Sequence, residues 1–159
     1  MKYKIMEEFI VASDKKLFRI KRVSDGLLGG YIESERNLSQ EGDCFVYHDA
    51  RVSGDAIVSD NARVYHDAWV SGDAWVSGDA VVSGTAWVYD DAQVSGEAWV
   101  SGNARVCGDA RVYSDARVSG NAWVSGYARV SGDAWICSGR ITKDYGKEKK
   151  DYKKRVIMD

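Results

Sequence analysis

A chain of 159 residues with no Pro, 16 Gly, 45% apolar residues and a formal charge of −2 has the size of one domain. No apolar run reaches the roughly 18 residues of a helical membrane span, and three Cys without paired spacing fit a reduced, cytoplasmic chain better than a disulfide framework. The small net charge hides a partition: residues 45–136 carry six Arg against twelve acidic side chains and no Lys, whereas residues 137–159 carry eight basic against four acidic side chains.

The opening stretch MKYKIMEEFIVASDKK lacks the apolar core and small-residue cleavage site of a signal peptide, and none is expected. EEFIVASDKKLFRIKRVS places two apolar stretches around the polar turn Ser13–Lys16. It reads as a β-hairpin, and residues 1–30 are assigned to an N-terminal cap lying over the open end of the segment 31–139, where unpaired strand edges need cover. Ile32 and Leu38 then stand six apart, and SQEGDC adds two residues before Val46.

From Val46 an aliphatic residue recurs at every sixth place through Ile136, giving sixteen hexads, and Ala recurs from Ala50 to Ala134 in the same register. Period six is neither the 3.6 spacing of a helix nor the alternation of a plain strand. It reads as a short strand Ala-x-Val-Ser followed by a two-residue turn. Alternation sends Ala and Val inward and sends x and Ser outward. Gly holds the first turn position in ten hexads, as expected where a positive φ is wanted. Three sides of six residues make an 18-residue coil, so residues 31–139 form a triangular parallel β-solenoid. At roughly 4.8 Å per coil the sixteen hexads make a rod about 25 Å long, which needs a cap at both ends.

Residues eighteen apart then share a face. The variable position reads Phe45, Arg63, Val81, Trp99, Arg117, Trp135 on one face, Arg51, Trp69, Trp87, Arg105, Trp123 on a second, and Ile57, Trp75, Gln93, Arg111, Arg129 on a third. Guanidinium on indole at this spacing is a cation–π contact, worth about 0.5–1 kcal/mol when exposed. Trp99–Arg117–Trp135 and Trp87–Arg105–Trp123 are the expected sandwiches. These eight binding candidates, Arg51, Trp69, Trp87, Trp99, Arg105, Arg117, Trp123 and Trp135, are the residue types that dominate interface hot spots. The alternative is that they only brace the rod.

Where Gly is missing from the turn, Tyr usually replaces the preceding Ser, as in Tyr47–His48, Tyr65–His66, Tyr89–Asp90 and Tyr113–Ser114. Tyr47 and Tyr65, and His48 and His66, should stack on one corner. Asp55, Asp73, Asp91 and Asp109 should form one corner line, and Asp79, Glu97, Asp115 and Asp133 another. Neither a metal site nor a cofactor is expected. Residues 140–159 are a Lys-rich C-terminal cap or a basic tail.

The hexads resemble the hexapeptide-repeat β-helix proteins, and that resemblance implies a left-handed coil. A more specific likeness rests on Leu27–Val52, where Gly29, Gly30 and Tyr31 precede Asn37 through Phe45 and then the hexads. This order is similar to the YdcK-like family of bacterial and phage proteins, which carries a transferase label. The wider class implies a trimeric acyltransferase, with acyl-coenzyme A held between subunits and His48 or His66 as general base. Sixteen uninterrupted hexads without a substrate-enclosing loop favour the other expectation, a non-catalytic binding or scaffold module. The resemblance implies phage or prophage origin for such a module. It would be a homo-oligomer (dimer or trimer), or would bind a host protein or a nucleotide-like ligand, as a counter-defence inhibitor or sponge does. An ice-binding rod would need Thr ladders, and only Thr85 and Thr142 are present.

Overall fold

The computed structural model describes residues 1–145 and the strand Arg155–Val156. It is all-β, a parallel β-solenoid of about six coils preceded by an antiparallel hairpin. No helix among the described residues is long and apolar enough to cross a membrane.

Strands β1 (Tyr3–Ala12) and β2 (Lys15–Arg22) pair antiparallel across Ser13 and Asp14. Both turn residues have positive φ, 50° and 62°, the conformation that matches the twist of a two-residue hairpin. Strand β3 (Leu28–Ile32) runs antiparallel to β2 and parallel to Arg51–Val52. The hairpin therefore extends one wall of the solenoid instead of only resting on its end, and that wall becomes a nine-stranded sheet.

Its first residues still close the open coil. The buried Tyr3 donates its hydroxyl to Leu38 O at 2.7 Å, and Lys2 N donates to Gln40 Oε1 at 2.7 Å. Asn37, fully buried, satisfies its whole amide: Oδ1 accepts from Glu33 N and Ser34 N, and Nδ2 donates to Gly54 O and Ala56 O. At Gly30 a Cβ would stand 2.4 Å from Ala50 O, so only Gly lets β3 approach the first full coil this closely. The motif residues that carry the family resemblance thus join the cap to the rod.

The two extra residues before Val46 are absorbed in the first coil. Leu38 bridges Val58, twenty positions on, whereas Phe45 pairs with Arg63 at the regular eighteen. From there each hexad repeats one pattern of bonds. Trp75 N donates to Ala92 O, Ser77 N to Val94 O and Asp79 N to Gly96 O in the next coil, while Ala80 N turns back to Ser77 O. Every Ala and Val at the inward positions of the repeat is buried, and each fully buried Val contributes about 1.5–3 kcal/mol of transfer free energy.

The first turn position is left-handed throughout the regular coils. Gly78 has φ 64°, and His48, Asp60, His66, Asp90 and Ser114 hold 56–59°, a region where His, Asp and Asn are enriched among non-Gly residues. Ser138 breaks the series. Gly139 takes φ 80° in its place, and Trp123 pairs with Arg140 only seventeen residues on. Arg140–Ile141, Tyr145 and Arg155–Val156 add one last rung to each wall. Of residues 140–159, expected as cap or tail, 146–154 and 157–159 lie outside the described residues.

Candidate functional site: the exterior ladders

The three columns read from the sequence are the three walls of the prism, in the same order and register. The second column is longer than its hexads. Arg19 on β2 and Tyr31 on β3 continue it below Arg51, and Arg140 continues it above Trp123. Arg19 donates to Tyr31 Oη at 2.6 Å and lies over the Tyr31 ring at 4.9 Å. Arg51 lies over Trp69 at 5.7 Å, and Arg105 and Arg140 lie over Trp123 at 5.7 and 4.8 Å.

The expected Trp87–Arg105–Trp123 sandwich is therefore replaced by another arrangement. Trp123 sits between Arg105 and Arg140, whereas Trp87 stacks on Trp69 with centroids 5.5 Å apart and planes 9° apart. Trp87 also tilts against Tyr89 at 5.0 Å. Burial pushes the Tyr89 phenol up to about 12, helped by its hydrogen bond with Cys107. On the first wall Arg117 lies over Trp99 at 5.8 Å, the expected contact on that side.

One regularity went unread in the sequence. Each of the six indole N–H groups donates to the residue sixteen positions back, in the preceding coil. Trp69, Trp75, Trp87, Trp99 and Trp135 reach Ser53, Ser59, Ser71, Ser83 and Ser119 at 3.0–3.4 Å, and Trp123 reaches Cys107 Sγ at 3.1 Å. The signal was available: x and Ser both point outward, so an x residue lies one coil above and two residues along from a Ser. With N–H and one edge fixed, each indole keeps a defined pose. Trp75, Trp87, Trp99 and Trp135 are exposed, and Trp69 and Trp123 are half-buried.

The corners hold the remaining candidates. Tyr47 and Tyr65 stack at 4.6 Å and 13°, and His48 and His66 at 5.1 Å and 9°. Both His are exposed, and among the described residues no group of three His, Cys, Asp or Glu is placed to hold a metal ion. The corner carboxylates, in the acidic lines and at the first turn position, are partly satisfied within the rod. Asp60 Oδ2 accepts from Gly78 N at 2.9 Å and Asp90 Oδ2 from Gly108 N at 3.1 Å. Asn61 donates to Asp79 at 3.1 Å. A hydrogen bond with Asp115, reinforced by its charge and that of Asp79, raises the Glu97 carboxyl above its ordinary range.

No curated protein matches the chain. A family model, the YdcK β-solenoid repeat, matches residues 58–72, 104–120, 110–126 and 116–132. All four windows fall inside the hexads, and the coils they cover are similar to the YdcK β-solenoid repeat.

Proposed function

We propose that the protein is a non-catalytic binding rod whose second wall, centred on Trp69, Trp87, Arg105 and Trp123, docks a second copy of the same chain. The observation that carries this reading is the bracing of every indole N–H within the rod. Rings already fixed in one pose lose little rotamer freedom on binding, and such preorganisation favours association. Trp, Tyr and Arg are also the residues that most often carry binding energy.

Charge favours a second copy as the occupant. The hexads carry six Arg against twelve acidic residues, and residues 137–159 carry eight basic against four acidic. Another copy therefore brings the complementary sign to an acidic rod. Sedimentation of the wild-type chain at low and high salt tests it. Self-association that weakens with salt is expected. A monomer at all salt concentrations would reject the second copy and leave a different protein or a nucleotide as occupant.

A further inference from the structure

The third wall contains a step found nowhere else on the rod's three columns: Arg111 pairs directly with Arg129 in the parallel register. Neighbouring strands lie about 4.8 Å apart, so two Arg in direct register place like charges close enough to repel. Elsewhere the ladder Arg residues rest mostly on rings, as Arg51 on Trp69, Arg105 on Trp123 and Arg117 on Trp99. Among the described residues, Arg111 and Arg129 have neither a ring beneath them nor an ion pair, and both are exposed.

They line a groove of 220 Å³ with Gln93, Ser95 and Tyr113. The strand register puts Gln93 directly below Arg111, and Ser95 and Tyr113 two residues along. Whereas Ser53, Ser59 and Ser71 on neighbouring rungs accept indole N–H bonds, Ser95 has Arg111 in the coil above it, where those have Trp. No side-chain hydrogen bond within the described residues uses the amide of Gln93, the hydroxyls of Ser95 and Tyr113, or either guanidinium. Asp144 adjoins Arg129 on the side away from Arg111, and its Oδ1 accepts from Arg129 N at 3.2 Å.

We infer that this groove is a binding site for a small phosphate-type oxyanion, with Arg111 and Arg129 as paired donors and Gln93, Ser95 and Tyr113 as neutral ones. Arg is suited to bidentate recognition of phosphate oxygens. An anion between the two guanidinium groups also removes their mutual repulsion. The volume falls below the roughly 300–1,000 Å³ of drug-sized ligand pockets, so the class is inorganic phosphate or the phosphoryl end of a larger molecule. The site lies on a different wall from the proposed docking surface and stands independently of it.

The test titrates the full chain with inorganic phosphate, and separately with adenosine monophosphate, following the Arg Nε–H resonances and thermal stability. Saturable shifts at Arg111 and Arg129 and a phosphate-dependent rise in Tm are expected. Arg111→Gln and Arg129→Gln should each weaken binding at least tenfold and, without phosphate, should not lower Tm, because each removes half of a repulsive pair. Lys16→Gln on the hairpin removes the same charge and should bind as wild type does. Tighter binding of the nucleotide with inorganic phosphate still saturating would place the phosphoryl group of a larger molecule in the groove. Absence of saturable phosphate binding, equal losses in all three variants, or binding of the nucleotide alone would each overturn the assignment.

Discussion

Trp87 Nε1 donates to Ser71 Oγ at 3.2 Å, across sixteen residues of sequence and a single coil of the rod. The bond fixes one edge of the ring, whose face stacks on Trp69. The same bond gives a role to five of the outward-facing Ser that follow Val, namely Ser53, Ser59, Ser71, Ser83 and Ser119.

Removing that acceptor should loosen the ring more than the fold. Ser71→Ala leaves the indole N–H to water, so the loss in stability should stay below about 1 kcal/mol. Exchange of the Trp87 indole proton should quicken while the other five keep their rates. The converse holds at Cys107, the one sulfur acceptor in the series: Cys107→Ser should slow exchange at Trp123. Unchanged rates in both variants would mean that these bonds do not persist in solution.

The core is the least forgiving part of the molecule. Ala92 and Ala110 are fully buried in consecutive coils, eighteen residues apart with Gln93 N donating to Ala110 O. Leu at either position adds volume that the stacked coils have no room for, and should cost on the order of 1–3 kcal/mol. Thermal denaturation of the two variants checks it. Wild-type stability in both would contradict an inward-facing Ala.

The Glu97–Asp115 pair predicts a pH dependence. Its cause is a shared proton that raises the Glu97 carboxyl above the ordinary value. A carboxyl raised on folding binds its proton more tightly in the native state. Its stabilisation is therefore complete below the unfolded value and is lost as pH rises through the folded one. Glu97→Gln keeps a hydrogen-bond donor and removes the charge, so the variant should gain on wild type as pH rises from the acidic range towards neutrality. Parallel stability–pH curves for the two proteins would remove the coupling.

Much of this geometry was legible because a period of six leaves few alternatives. Val and Ala identified the inward face, the eighteen-residue coil placed Arg51, Trp69, Trp87, Arg105 and Trp123 on one wall, and the two inserted residues before Val46 were visible as a slip in spacing. What stayed hidden depends on directions that spacing does not encode. Register puts Arg105 equally near Trp87 and Trp123, and the choice falls to side-chain rotamers and to Tyr89, which occupies one side of Trp87. Arg140 joined the ladder only because one residue is deleted after Ile136, which shifts it out of the hexad count. The hairpin was visible, but its continuity with one wall required knowing that β3 pairs with both β2 and Arg51–Val52.

An acyltransferase would use His48 or His66, stacked on an exposed corner at 5.1 Å. Calorimetry with acetyl-coenzyme A should therefore give no binding heat. A micromolar dissociation constant abolished by His48→Ala or His66→Ala would replace the binding-rod reading with a catalytic one.

The double variant Trp87→Ala, Arg105→Ala tests the docking wall itself. Trp87 and Arg105 are exposed and point away from the Val88 and Val106 core, so the coils should stay intact. Losing the Trp87–Trp69 stack and the Arg105–Trp123 contact removes about 0.5–1.5 kcal/mol for the aromatic pair and about 0.5–1 kcal/mol for the exposed cation–π contact. If the wall is an interface, self-association should weaken by about 2 kcal/mol or more, the threshold of a hot spot, roughly thirtyfold in dissociation constant. Matched changes at Trp99 and Arg117 on the first wall should leave assembly unaffected, which separates a docking surface from general loss of surface aromatics. Sedimentation of both double variants beside wild type, with circular dichroism to establish folding, reads the two effects apart. If assembly is the same in all three, the Trp–Arg ladders are braces that stiffen the rod and the partner lies elsewhere.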